Sequence, residues 1–232
     1  MGNRGIRFAV DAAMAAAFVA VMATALVQEA PHEYLGLALL VAVVAHVVLN
    51  RRWFAALARG RYDAVRVLRL VAVVGLLACV AAQVASSLVL SKHVFWLLPA
   101  LPGAGLARRV HMLCSYWSFL FAFAHAGLQF RTVVVRLGSK RHLGVVAIWT
   151  YRIALVAIAC FGAWSFAALG MPAYLTGQVQ FAFADYAAPL VLTFAQYASV
   201  AVLVAGAFYY LERLLRGRGK GSRNRIGERE VP

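Results

Sequence analysis

The sequence predicts an all-α fold, a polytopic membrane helical bundle of six transmembrane helices, and three observations carry that prediction. Of the 232 residues, 64% are hydrophobic and only 13% charged, whereas soluble domains average about 45–50% apolar and about 25% charged residues. The apolar residues fall in six runs, each near the roughly 20 residues that cross a bilayer as a helix. The basic residues, 23 Lys and Arg against 8 Asp and Glu for a net charge of +15, gather in alternate connections between those runs. In a polar chain such an excess would suggest nucleic acid; in a chain this apolar it sets topology, and a nucleic-acid partner is excluded.

Span 1, Phe8–Val27, follows Arg4 and Arg7. Its end at Ala23-Thr24-Ala25 also suits a signal peptide, but its length and direct continuation into the next span favour an uncleaved helix. Span 2, His32–Leu49, ends at Asn50-Arg51-Arg52. Span 3, Leu70–Leu90, follows a connection with Arg59, Arg61, Arg66 and Arg69, and ends before Lys92, His93, Phe95 and Trp96, an interfacial belt. Span 4, His111–Phe130, lies between Arg108-Arg109 and Arg131. Span 5, Val145–Leu169, follows Arg136, Lys140 and Arg141, and span 6, Ala187–Leu211, precedes Arg213 and Arg216. With the N-terminus in the cytoplasm, only Lys92, Arg108 and Arg109 lie outside, so the positive-inside rule places both termini in the cytoplasm. The segment from Arg216 to Pro232, rich in Gly and Arg, reads as a disordered basic tail against anionic headgroups. Cys79, Cys114 and Cys160 each sit in apolar sequence, which argues against a disulfide framework or a thiolate zinc site, and no Cys-x-x-Cys-His occurs.

Spans 2 and 4 carry histidines in one arrangement. His32 and His46 are 14 residues apart, as are His111 and His125. On a helix this is nearly four turns, which puts both rings within about 40° of one face and about 21 Å apart along the axis. A common offset of 79 residues relates His32 to His111 and His46 to His125, and it also relates Arg52 to Arg131 and Asn50 to Gln129. The pattern is a weak repeat of a two-helix hairpin. Spans 2 and 4 then run in the same direction, so His32 is expected at the depth of His111 and His46 at the depth of His125, one facing pair per leaflet.

Ionisable side chains are costly in a bilayer, and four at matched depths point to a cofactor. Neutral imidazole is an axial ligand of haem iron. The face of span 4 reads His111, Ser115, Ser118, Ala122, His125, and Gly36 lies one turn from His32; small residues let a flat macrocycle approach, although they also mark ordinary helix contacts. Arg108 and Arg109 near the outer pair, and Arg52 and Arg131 near the inner pair, are candidates to bind haem propionates, with topology setting as the competing role. The sequence therefore predicts two haem b groups held by His32, His111, His46 and His125. The competing reading is a haem-free polytopic scaffold or transporter subunit. A histidine lane for bare metal fits less well, because the pairs are too far apart to share an ion.

The segment His32-Glu33-Tyr34-Leu35-Gly36, with His46, Asn50, Trp53 and Phe54 after it, resembles a bacterial integral-membrane family of unknown function whose pattern is H-E-x-x-G, then H-x-x-x-N-x-x-W-F, then a later helix with two histidines. More broadly it resembles the dihaem b-type cytochromes of quinone-linked complexes and ferric-reductase-like membrane domains. The resemblance covers about residues 5–136. It implies a four-helix dihaem core in the bacterial cytoplasmic (inner) membrane that moves electrons between the quinone pool and a redox protein on either face. It also implies an electron-transfer subunit of an oxidoreductase, with quinone oxidoreductase activity of its own left open. On this reading residues 1–142 form the core, 143–215 add two further spans with an outer loop, and 216–232 form the tail. No Gly-x-Gly-x-x-Gly fingerprint occurs, so the electron donor is expected to be another protein carrying a flavin or iron–sulfur centre, or a diffusing quinol. Secondary candidates for proton handling or a quinone or partner surface are His93, Glu33, and Asp185-Tyr186 with Tyr174 and Gln178, each weighed against a plain interfacial role. Tyr116 and Trp117 read as packing, and His142 as solvated.

Overall fold

The computed structural model describes residues 3–24, 29–57, 59, 62–97, 99, 101–137, 145–181 and 189–227. These residues form helices and connections, with no strand among them. The helices are α1 (Asn3–Thr24), α2 (Glu29–Leu49), α3 (Arg51–Ala55), α4 (Ala64–Leu90), α5 (Ala104–Leu137), α6 (Val145–Ala168), α7 (Met171–Leu175) and α8 (Leu190–Gly227).

Five segments among the described residues are long and apolar enough to cross a membrane: Gly5–Ala23, Glu29–Leu49, Ala64–Leu90, Trp149–Ala168 and Leu190–Gly217. The chain is thus a multi-pass membrane helical bundle. Its outer surface fits lipid contact, with Val41, Val44 and Val48 of α2, Val71 and Val74 of α4, and Ile153 and Val156 of α6 all exposed. Span 4 of the sequence reading, His111–Phe130, falls within the 34-residue α5, which is not one of these five. It is less apolar than the other five because it carries His111, Ser115, Ser118, His125 and Gln129. The residues that make this helix interesting chemically are the ones that dilute its hydropathy.

Local sequence explains the helix ends. Asp63 caps α4 by accepting from the Arg66 amide at 2.7 Å. The Arg66 guanidinium returns to the carbonyls of Ala56 and Leu57, both at 2.9 Å, and lies over the Tyr62 ring, fastening the α3–α4 connection. Gly170 precedes α7 with φ +62, a left-handed conformation that glycine adopts without steric cost.

The packed centre draws on helices beyond residues 1–142. The principal buried cluster joins Met22 and Ala23 of α1, Tyr116, Phe119 and Phe123 of α5, Met171 and Tyr174 of α7, and Tyr197, Val200 and Ala201 of α8. Helix α8 packs along both α5 and α6 and also meets α1. Small residues permit this: a Cβ on Gly127 of α5 would collide with the Ala205 carbonyl oxygen of α8, and one on Gly162 of α6 would lie 2.5 Å from that of Ser199. Close backbone approach is how helices gain contact where lipid removes the hydrophobic drive. One correction concerns the tail. Helix α8 continues to Gly227, past the disorder expected from Arg216. Arg and Lys are good helix formers, and elongating an existing helix avoids the cost of nucleation.

Helix α2 is the peripheral member and has no buried residue. It packs along α1, while its backbone stays apart from α4 and α5. A Cβ added to Gly36 would meet nothing within 4 Å.

Candidate functional site

Across the separation between α2 and α5, the histidines meet as the 79-residue offset predicts. The His32 and His111 ring centroids are 6.2 Å apart, and those of His46 and His125 are 6.5 Å apart. We call these the first and the second pair.

The Nδ1 partners fix the ring chemistry. Nδ1 of His32 lies 3.2 Å from the Val21 carbonyl oxygen, which can only accept. Nδ1 of His111 lies 3.2 Å from Ser86 Oγ. That hydroxyl donates its own proton to the Gln83 carbonyl at 3.0 Å, leaving its oxygen to accept from the ring. Nδ1 of His46 lies 2.6 Å from Asp11 Oδ1, again an acceptor. In the neutral ring each of these three bonds places the proton on Nδ1 and leaves Nε2 with a free lone pair. Among the described residues no hydrogen bond reaches Nε2 of any of the four. His125 is the exception on the other side of the ring, with a buried Nδ1 that has no hydrogen-bond partner among the described residues.

This is the usual organisation of metal-binding histidines, in which the ring N–H held by a carbonyl, hydroxyl or carboxylate aims the other nitrogen. The spacing agrees. With a metal–nitrogen bond of about 2 Å and the nitrogen roughly 1.1 Å from the ring centre, two imidazoles on opposite sides of one metal stand about 6.3 Å apart, centre to centre. No group of three or more His, Cys, Asp or Glu among the described residues could hold a metal ion. Each pair offers two ligands and so suits a metal that arrives with its remaining ligands already bound.

The other sequence candidates divide. Ser115 accepts from Gln83 Nε2 at 2.7 Å and donates to the His111 carbonyl at 2.7 Å. Ser118 is buried and donates to the Ser115 carbonyl. Both hydroxyls are therefore committed to contacts within α4 and α5, while Gly36 keeps open space beside it. Arg108 and Arg109 are exposed, and the Arg108 guanidinium lies over the Phe181 ring at 4.7 Å. Arg52 is exposed on α3, and the side chain of Arg131 lies outside the described residues. The carboxylate of Glu33 accepts from Ser91 Oγ at 2.6 Å and from the amides of Lys92, His93 and Val94, each at 2.9 Å. It anchors α2 to the turn after α4, assisted by the Glu29–Lys92 ion pair. Tyr174 stacks on Tyr116 at 4.2 Å in the core and does not form a surface, while Gln178 is exposed. Lys140, Arg141, His142, Asp185 and Tyr186 lie outside the described residues.

Sequence reasoning missed several groups beside the second pair. Asp11 falls inside the apolar run Phe8–Val27, and an acid within such a span was the available signal. Buried Nε atoms of Arg7 and Arg69 have no hydrogen-bond partner among the described residues. Arg7 precedes Asp11 by one turn on α1. Arg69 donates through Nη2 to the carbonyl of Leu128, one turn beyond His125, and to Glu212 of α8 at 2.8 Å. Glu212, almost fully buried, also accepts from Arg216 Nε at 2.8 Å, and its second oxygen has no partner among the described residues. These half-buried guanidiniums, unlike the exposed Arg108 and Arg109, keep a buried donor near a histidine pair and suit a carboxylate ligand.

No protein-family model matches the chain, and neither a curated protein nor a solved structure is significantly similar to it.

Proposed function

We propose that the chain is a dihaem b-type cytochrome of six membrane spans, with α5 as the span that the hydropathy pattern underweights, and that it carries electrons between the two membrane faces. The observation that carries the reading is the matched spacing of two histidine pairs near 6.3 Å, with Nε2 of His32, His111 and His46 left bare by an acceptor on Nδ1. His32 and His111 hold one haem, and His46 and His125 hold the other. Haem, when bound, supplies one-electron iron chemistry.

The protein's contribution is position and environment. Val21, Ser86 and Asp11 orient the rings, and the open space at Gly36 admits a flat ring. Arg7 and Arg69 offer donors to carboxylates at the rim of the second site. The two sites, roughly 21 Å apart along the helices, lie at the depths of the two leaflets, with the second pair and both termini on the cytoplasmic side. Electrons are exchanged with a quinone or a redox protein at the faces. Glu33 supports the plain interfacial role and not proton handling, because its carboxylate is occupied by the turn after α4.

An absorption spectrum of the purified protein tests this reading. The expected result is a Soret band with sharpened α and β bands on reduction, diminished by half in His46→Ala and in His125→Ala. A protein purified from haem-sufficient cells without a Soret band contradicts it and favours the haem-free scaffold.

A further inference from the structure

The two histidine pairs are alike in spacing but not in what supports them. In the first pair both Nδ1 partners are neutral: the Val21 carbonyl and the Ser86 hydroxyl. In the second pair His46 Nδ1 is 2.6 Å from a carboxylate, that of Asp11. A 35-residue separation in sequence makes this a tertiary contact between α1 and α2. Asn50 reinforces the local geometry by donating from Nδ2 to the His46 carbonyl at 2.9 Å. A carboxylate on the ring N–H pulls the proton toward itself and gives the imidazole partial imidazolate character, which raises the basicity of Nε2. A more basic axial nitrogen, together with the nearby negative charge, favours the higher charge on the iron.

We infer that Asp11 is a positioning residue for His46 that makes the second site harder to reduce than the first. This rests on the dihaem reading of the pairs. Cations also face the second pair and act against Asp11. Arg69 of α4 is neutralised in part by Glu212 of α8, which also takes Arg216, while Arg7 of α1 lies one turn away and offers a donor to a propionate, itself an anion. Near the first pair, Glu29 is paired with Lys92, and the Glu33 carboxylate is spread over the Ser91 hydroxyl and three backbone amides. The first site therefore has no anion on a histidine ring, and the second has one.

The test is a spectroelectrochemical titration of the purified full-length protein and four variants. His111→Ala retains only the second site and His125→Ala only the first, which assigns the two waves. The expected result is a lower potential in His111→Ala than in His125→Ala. Asp11→Asn is expected to raise the lower wave of the two-haem protein by about tenfold in its reduced-to-oxidised ratio, about 59 mV for one electron, and to leave the higher wave unmoved. Asp11→Glu, which restores the charge, is expected to return the wave toward the wild-type position. Low-spin ferric EPR signals should move for the same haem alone.

Lower potential in the site that lacks Asp11, or an Asp11→Asn shift of both waves equally or of neither, overturns the inference while leaving the dihaem reading intact. If Asp11→Asn does not retain its second haem, the order of the two single-site variants decides the question. A wild-type protein with no haem defeats the functional reading itself, and the two failures cannot be confused.

Discussion

The first and second histidine pairs form a natural experiment within one chain. They share spacing, helix faces and sequence offset, yet the first is supported by a backbone carbonyl and a hydroxyl, and the second by a carboxylate and an orphaned ring nitrogen. Their surroundings differ as well. The first pair lies where Glu33 anchors α2 to the turn after α4. The second lies beside half-buried Arg69 and buried Glu212, which join α4, α5 and α8. The difference shows how a repeated hairpin yields two unlike sites: the repeat fixes where the rings meet, and non-repeated residues fix their chemistry.

The largest expected effect separates the pairs outright. His46→Ala or His125→Ala should leave one haem per chain with the other spectroscopically unchanged, as measured by pyridine haemochromogen assay. Loss of both would mean that the pairs are not independent sites. Next comes Glu212→Ala, which strands Arg69 and Arg216 at the second-pair end. Breaking a buried ion pair costs about 3–5 kcal/mol, so the thermal transition in detergent should fall strongly, and haem should leave the second site before the first. Glu33→Gln acts at the opposite end, weakening charge-assisted bonds to the turn after α4 by about 1–3 kcal/mol; its signature is earlier haem loss from the first site. The smallest effect is expected from Ser86→Ala. Removing a neutral acceptor from His111 should move the first wave of a redox titration by less than Asp11→Asn moves the second, and an equal or larger shift would erase the distinction between the sites.

Much of this arrangement was legible in the sequence, for specific reasons. Hydrophobic run lengths report membrane spans directly, and the 79-residue offset places His32 opposite His111 and His46 opposite His125 because parallel helices preserve depth. What sequence order does not carry is which helix lies beside which. Helix α8 enters the core through Gly127 and Ala205, a close approach that depends on the lateral order of helices. Asp11 reaches His46 for the same reason: a charge tally records its side of the membrane but not the face it occupies. Arg108 and Arg109 drew attention because positive charge is scarce on their side, yet Arg108 rests on Phe181. The half-buried guanidiniums of Arg7 and Arg69 were hidden among arginines that serve topology.

The most direct test of the central claim is the haem content of the purified full-length protein, by pyridine haemochromogen assay against protein concentration. Two b-type haems per chain, with a low-spin bis-histidine spectrum, is the expected result. A value of zero under haem-replete expression would contradict it, and so would two haems that survive replacement of His32, His46, His111 and His125 together.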